Sequence, residues 1–118
     1  MKKILYVEDS EDTAEAVKII LAGAGYEIET ASTGTEGIKK AKSTFFDLIL
    51  LDVMLPDMSG WDIFELLSTK IKSKYAFLSA IPISSERLDQ LNKTGICDYI
   101  PKPFLKDDLV KRIQVILS

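Results

Sequence analysis

The 118-residue sequence contains no histidine. Without an imidazole, the chain cannot form a Ser-His-Asp triad or a Cys-His dyad, and it lacks a ligand that most zinc and iron sites use. Cysteine is also scarce, since Cys97 is the only one, which excludes an internal disulfide and favours a reducing compartment. Acid-base or phosphate chemistry must therefore depend on carboxylates, lysines, hydroxyls or backbone amides.

Long apolar runs and excess positive charge are missing as well. Apolar runs such as residues 48–51 are far too short to span a bilayer. The net charge is -3, whereas nucleic-acid-binding domains usually carry an excess of positive charge. The first residues run directly into a strand-like segment, without a signal-peptide pattern. We therefore expect a cytoplasmic domain that binds neither nucleic acid nor membrane.

Short apolar runs alternate with amphipathic stretches along the whole chain, without repeats or linkers. This pattern predicts one α/β domain over residues 1–118, with a doubly wound parallel sheet covered by helices on both faces. Strands are predicted at residues 3–7, 26–31, 48–51, 75–78 and 97–100. The first helix places Ala14, Val17, Ile20, Leu21 and Ala24 on one face and stops at Gly23 and Gly25; further helices are predicted at residues 35–42, 60–70, 84–93 and 106–117.

Polar side chains follow four of the five predicted strands. They are Glu8 and Asp9, Asp52, Ser79, and Lys102. Ligands of such sheets bind at the carboxyl ends of the strands, so these groups are expected to share one crevice. Carboxylates held close together repel unless a cation is present, and Mg²⁺ prefers oxygen ligands of this kind. Lys102 could neutralise the remaining charge and later pair with a phosphoryl group.

Taken singly, each of these residues has a more ordinary interpretation. The acids could cap helices, form turns or lie in solvated loops, the serine could be an internally satisfied hydroxyl, and the lysine a surface charge. Their occurrence at four different strand ends favours a common site.

Along nearly its whole length the sequence resembles a response-regulator receiver domain. The resemblance rests on residues 4–9 (ILYVED), 48–60 (LILLDVMLPDMSG), 78–80 (LSA) and 95–104 (GICDYIPKPF). It implies a flavodoxin-like (βα)5 fold with strand order 2-1-3-4-5, which would place Asp9 beside Asp52.

The resemblance also implies a two-component phosphorelay. Asp52 would take a phosphoryl group from a phosphohistidine of a sensor histidine kinase or phosphotransfer protein, and that donor must lie outside this chain. Asp9, Asp52 and the backbone carbonyl of Met54 would bind Mg²⁺ or Mn²⁺, and Glu8 would hold a coordinating water. The domain would then catalyse its own metal-dependent phosphorylation and dephosphorylation without being a conventional enzyme.

Further roles concern the phosphorylated state. Lys102 would contact the phosphoryl oxygens, and its peptide bond to Pro103 is expected to be cis. Ser79 would hydrogen-bond the phosphoryl group, and Tyr99 would then turn inward, unless it is simply a half-buried core aromatic. A downstream effector domain or protein would read the face of the fourth helix, fifth strand and fifth helix. That face would include Arg87, Gln90, Lys93, Tyr99, Lys106 and Lys111.

The sequence departs from the family pattern at Glu8 and at the apolar, proline-stiffened segment Ile81-Pro82. Many members carry Asp where this chain has Glu8, and the extra methylene should retune metal binding without abolishing it. Met54 and Ile81, the latter followed by Pro82, stand where members often place polar residues beside the attacking water, so the phosphorylated state is expected to last long. Other residues receive structural interpretations: Pro56 and Gly60 shape the loop after Asp52, and Trp61 and Cys97 pack.

Three alternatives remain in view. A haloacid-dehalogenase-like phosphohydrolase would need a second acid two residues after Asp52, where Met54 stands. A flavodoxin-like FMN binder would need a hydroxyl- and amide-rich loop in place of the acidic residues 8–12. The main alternative is a receiver that acts as a protein-protein binding module without being phosphorylated.

Overall fold

The computed structural model describes residues 1–118, in which five strands alternate with five helices. The strands are β1 (Lys3–Val7), β2 (Glu27–Ala31), β3 (Leu48–Leu51), β4 (Lys74–Ser79) and β5 (Ile96–Pro101). The helices are α1 (Glu11–Gly23), α2 (Gly34–Ser43), α3 (Gly60–Ser68), α4 (Ser85–Thr94) and α5 (Lys106–Leu117). No helix is both long enough and apolar enough to cross a membrane.

All neighbouring strands are parallel, in the order β2-β1-β3-β4-β5. The predicted fold class and strand order are therefore confirmed. The central strand β3 is buried at all four residues, as expected of a strand covered on both sides. Val7 of β1 lies in register with Leu51 of β3. The residues that follow them, Glu8 and Asp52, therefore leave the sheet side by side.

Two hydrophobic cores lie on opposite faces of the sheet because successive strand side chains point to opposite sides. One core packs alternate residues such as Leu5, Ile49 and Phe77 against α2, α3 and α4. The other packs Ile4, Tyr6, Leu50 and Leu78 against α1 and α5. The continuous apolar runs of the strands are thus divided between two interfaces.

Hydroxyl side chains determine where four helices begin. Ser10, Thr33, Ser59 and Ser84 each accept a hydrogen bond from the third backbone amide of the helix that follows. Such caps satisfy an amide that has no partner within the helix. Of the two glycines predicted to stop the first helix, Gly23 is its last residue and Gly25 follows it with a left-handed backbone (φ 98°). Gly95 ends α4 in the same conformation (φ 111°).

Some sequence predictions were wrong in detail. The third helix ends at Ser68 rather than at residue 70, because Lys70 and Ile71 both donate backbone hydrogen bonds to Leu67 and close a turn. Cys97, predicted to pack, is exposed, because neighbouring strand residues face opposite sides. Trp61 does pack, with its ring 4.2 Å from the ring of Phe77.

Candidate functional site

The ends of β1 and β3 bring three carboxylates together. One oxygen of each of Glu8, Asp9 and Asp52 lies within 4.8 Å of the others. Glu8 and Asp52 are only 2% and 7% exposed, whereas Asp9 is open to solvent. Hard oxygen ligands in this arrangement, with one side open, fit a divalent cation that keeps several waters. The expected convergence of the acidic residues is therefore observed.

Lys102 contacts two of these three acids. Its ammonium donates to Glu8 Oε1 and lies 3.1 Å from Asp52 Oδ2. The backbone of Lys102 is held at the end of β5 by a 2.9 Å bond from its amide to the carbonyl of Ser79. The Lys102–Pro103 bond is cis, as expected. Three carboxylates and one ammonium leave two net negative charges in the crevice, which a divalent cation would balance.

Burial and hydrogen bonding shift the pKa values of Asp52, Lys102 and Glu8 in different directions. Burial raises the pKa of Asp52, and Glu8 beside it raises it further. Burial opposes charge on Lys102, but both carboxylates outweigh this and raise its pKa. Burial also opposes charge on Glu8, yet hydrogen bonds from Lys102 and Tyr6 hold the pKa of Glu8 below its ordinary value. Glu8 and Lys102 therefore form the charged pair, and of the two buried acids Asp52 is the one whose charged form the protein stabilises less.

Tyr6 belongs to this site although the sequence pattern did not single it out. Its side chain is completely buried, and its hydroxyl donates to Glu8 Oε1 at 2.8 Å. The signal that could have found it is the spacing, because residues two apart on a strand point to the same face. Burial is the main reason that the pKa of Tyr6 lies well above its ordinary range, with Glu8 adding to the effect.

Met54 and Gly60 frame the loop that follows Asp52. The Met54 amide lies 3.4 Å from Asp52 Oδ1, while its side chain is 68% exposed. Gly60 is the first residue of α3, and a β-carbon there would lie 2.2 Å from the carbonyl oxygen of Asp52. Gly60 was interpreted as a turn residue, but its backbone is not left-handed. Only the absence of a side chain explains this close approach.

Ser79 and Tyr99 share the backbone of Ile81 as a partner. Ser79 is 2% exposed, and its hydroxyl accepts a 3.1 Å bond from the Ile81 amide. The Tyr99 hydroxyl donates to the Ile81 carbonyl at 2.7 Å, and the residue is 6% exposed. Tyr99 therefore already points inward and does not line the predicted output face. The five charged and polar residues expected there with it are all exposed: Arg87, Gln90, Lys93, Lys106 and Lys111.

Asp57 ties the loop after β3 to the start of α2. Its carboxylate accepts bonds from the Gly34 amide at 2.8 Å, the Thr35 amide at 2.9 Å and the Thr35 hydroxyl at 2.6 Å. This contact was not predicted, because it joins residues more than twenty positions apart. It anchors the loop that carries Met54 and leads to Gly60.

These bonds make the anchor dependent on pH. The bond from the Thr35 hydroxyl, followed by those from the two amides, lowers the pKa of Asp57 to about 2. A lowered acid pKa means that its contribution to stability is complete above the ordinary aspartate value of about 4 and is lost as the pH falls through the folded value. We expect the Gly34 and Thr35 amide resonances to shift with a midpoint near pH 2 in NMR titrations. In Asp57→Asn this transition should be absent; a midpoint at the ordinary value would contradict the assignment.

Residues 4–114 match the family described as the response regulator receiver domain. The cell cycle transcriptional regulator CtrA of Caulobacter vibrioides is 37% identical over 119 residues, which cover 98% of this chain and 50% of the relative. The cell cycle response regulator CtrA of Brucella abortus is 34% identical over 116 residues, with the same coverages. The chain thus spans about half the length of these relatives.

Solved structures with the same fold cover nearly the whole chain. The non-phosphorylated HemR receiver domain from Leptospira biflexa superposes with a TM-score of 0.90 at 34% identity, covering 100% of this chain and 95% of that one. Chemotaxis response regulator CheY4 of Vibrio cholerae gives 0.87 at 32% identity, covering 99% of both chains. TrrA from Thermotoga maritima, solved in complex with Mg²⁺ and BeF, gives 0.83 at 34% identity, covering 99% of this chain and 100% of that one.

Proposed function

The chain belongs to the response-regulator receiver family of two-component systems, and from this premise we propose that Asp52 is its phosphoacceptor. The observation that carries the proposal is the convergence of Glu8, Asp9 and Asp52, with the ammonium of Lys102 bridging two of them. Of the two buried acids, Asp52 accepts two hydrogen bonds and Glu8 accepts three, so the Asp52 carboxylate is the more available as a nucleophile.

The phosphoryl donor is a phosphohistidine on a sensor histidine kinase or phosphotransfer protein. A carboxylate oxygen of Asp52 forms a bond to phosphorus while the phosphorus–nitrogen bond of the donor breaks. The electron pair stays with the imidazole nitrogen, which then takes up a proton. Lys102 lies beside Asp52 Oδ2 and would pair with the phosphoryl oxygens. Ser79, buried on the neighbouring strand β4, would donate its hydroxyl to the same group.

Asp9, Asp52 and the Met54 carbonyl are the groups that would hold Mg²⁺ or Mn²⁺, with Glu8 binding a coordinating water. The fit rests on hard oxygen ligands whose net negative charge Lys102 does not cancel. TrrA, which shares this fold, was solved with Mg²⁺ and BeF. When bound, the cation offsets negative charge on the transferring phosphoryl group.

A downstream effector domain or protein would read the phosphorylated state on the face formed by α4, β5 and α5. This face is charged with both signs: Arg87, Lys93, Lys106 and Lys111 are exposed on it, and so are acidic residues of the same two helices. Tyr99 lies beneath it and reaches the segment after Ser79 through its bond to the Ile81 carbonyl. A movement of Ser79 toward a phosphoryl group would disturb this shared segment, and thereby the packing of Tyr99.

Phosphorylation can be tested without knowing the kinase. The purified chain is incubated with acetyl phosphate and Mg²⁺, and its intact mass is measured with and without a chelator. We expect a gain of one phosphoryl group that disappears when the metal is chelated. An unchanged mass under all conditions would favour the alternative, a receiver that acts only as a binding module.

The side chains near Asp52 also predict a long-lived phosphorylated state. Met54 and Ile81 are 68% and 39% exposed, and neither offers a side-chain hydrogen bond to an attacking water. In Met54→Asn, one added hydrogen bond of about 1 kcal/mol should shorten the lifetime roughly fivefold to tenfold. Val115→Asn is the matched control, because Val115 is also an exposed apolar side chain but lies on α5, outside the loop after Asp52. Decay is followed by intact mass after donor removal; equal lifetimes for Met54→Asn and wild type would refute this explanation.

A further inference from the structure

Glu8 is held by the protein on both of its carboxylate oxygens. Oε1 accepts hydrogen bonds from the Tyr6 hydroxyl at 2.8 Å and from the Lys102 ammonium, and Oε2 accepts one from the Ser10 amide at 3.2 Å. A carboxylate oxygen has two lone pairs, so Oε1 is fully occupied. Glu8 is therefore oriented toward Lys102 by a donor that lies inside the core.

The Tyr6 hydroxyl has no other partner and no access to solvent. A buried hydroxyl without a hydrogen bond is costly, so Tyr6 and Glu8 depend on each other. An aspartate at position 8 would be shorter by one carbon–carbon bond of about 1.5 Å. Because the present bond is 2.8 Å long, the shorter side chain could not reach the hydroxyl from the same backbone.

We propose that Tyr6 is a positioning residue that allows this metal and phosphoacceptor site to function with a glutamate at position 8. Its hydroxyl holds Glu8 against Lys102 and keeps Oε1 from coordinating the cation directly. Water would then take the coordination position that Oε1 leaves free, and a phosphoryl oxygen could displace that water. The inference rests on the proposed function, since it concerns how that site binds Mg²⁺ and transfers phosphoryl groups.

Tyr6→Phe removes the hydroxyl but keeps the buried ring. The lone pair released on Glu8 Oε1 becomes available to the cation, so the Mg²⁺ dissociation constant, measured by calorimetry, should fall about tenfold. The phosphorylation rate with acetyl phosphate at saturating Mg²⁺ should also fall about tenfold. Direct coordination by Glu8 would displace a water ligand of the cation and would weaken the hydrogen bond between Glu8 and Lys102. A merely structural role of Tyr6 would weaken Mg²⁺ binding instead.

Glu8→Asp supplies the decisive comparison. In that background Tyr6→Phe should change neither quantity by more than about twofold, because the tyrosine has no carboxylate within reach. Tyr75→Phe is the matched control, since it also removes one hydroxyl bond of a buried tyrosine, here to the Ile71 carbonyl, and should change neither quantity. Equal effects of Tyr6→Phe in both backgrounds, or weaker Mg²⁺ binding, would overturn the inference.

The failure of the proposed function can be distinguished from the failure of this inference. If the wild type binds Mg²⁺ but takes no phosphoryl group, the proposed function fails, while the Mg²⁺ binding measurements still decide the role of Tyr6. If the wild type binds no Mg²⁺, the inference itself fails.

Discussion

Asp52→Asn is expected to abolish the gain of mass on incubation with acetyl phosphate and Mg²⁺. An amide nitrogen or oxygen in place of the carboxylate offers no anionic nucleophile for phosphorus, and it removes one of the acidic metal ligands. Glu8 cannot take over, because Lys102, Tyr6 and Ser10 already engage its carboxylate. Asp89→Asn, an exposed change of the same kind on α4, should leave phosphorylation unchanged. Persistent mass gain in Asp52→Asn would place the phosphoryl group elsewhere.

The same variant should be more stable than the wild type in the absence of metal. Burial and the neighbouring Glu8 raise the pKa of Asp52, which means that its charged form costs free energy in the folded state. That cost is present above the raised pKa and disappears as the pH falls toward the ordinary aspartate value of about 4. We therefore expect Tm to rise by a few degrees at neutral pH and the difference to shrink in acid. If Asp52→Asn instead had a lower Tm than the wild type, misfolding would explain its loss of phosphorylation.

Gly60→Ala is expected to destabilise the protein by about 3 kcal/mol and to suppress phosphorylation. The new β-carbon would meet the Asp52 carbonyl oxygen at 2.2 Å and Phe77 at 3.0 Å. The first of these is backbone, which cannot rotate away as the end of a flexible side chain could. Either α3 moves outward or Asp52 shifts, and both outcomes disturb the site. The free energy of unfolding is measured by urea denaturation, and phosphorylation by intact mass.

Gly23→Ala is the control for this prediction. Gly23 is exposed at the end of α1, and a β-carbon there would have no heavy atom within 4 Å beyond its own helix and chain neighbours. Alanine favours a helix over glycine, by up to about 1 kcal/mol, so this variant should be as stable as the wild type or more so. If both glycine variants behaved alike, the close approach at Gly60 would not be the cause.

Much of the fold could be predicted because its determinants are local. Continuous apolar runs mark strands that are covered on both faces, and hydroxyl residues and glycines mark the helix boundaries. The predicted limits of β1, β3 and α5 agree with the structure, and the limits predicted for β2, β4, β5, α2, α3 and α4 lie within two residues of those observed. The error at Cys97 concerns which side of a strand a residue faces, and this depends on the packing of neighbouring elements.

The site could be predicted only in part, for a related reason. Placing polar residues at strand ends identified Glu8, Asp9, Asp52 and Lys102 as neighbours, because parallel strands end at one edge of the sheet. Tyr6 was treated as one more apolar strand residue, and nothing in the local pattern distinguishes a tyrosine whose hydroxyl has a buried partner. Asp57 was part of a recognised motif, but its three partners lie on α2.

The amino-acid sequence by itself therefore determined the alternation of elements, the acidic edge and the absence of any histidine from the site, since composition and periodicity are properties of the chain alone. Only the tertiary structure decided which acid pairs with Lys102, why residue 60 is a glycine and where Tyr99 points. Each of these depends on distances of a few ångströms between segments far apart in the chain. Such distances follow from how the helices pack on the sheet, which no local pattern specifies.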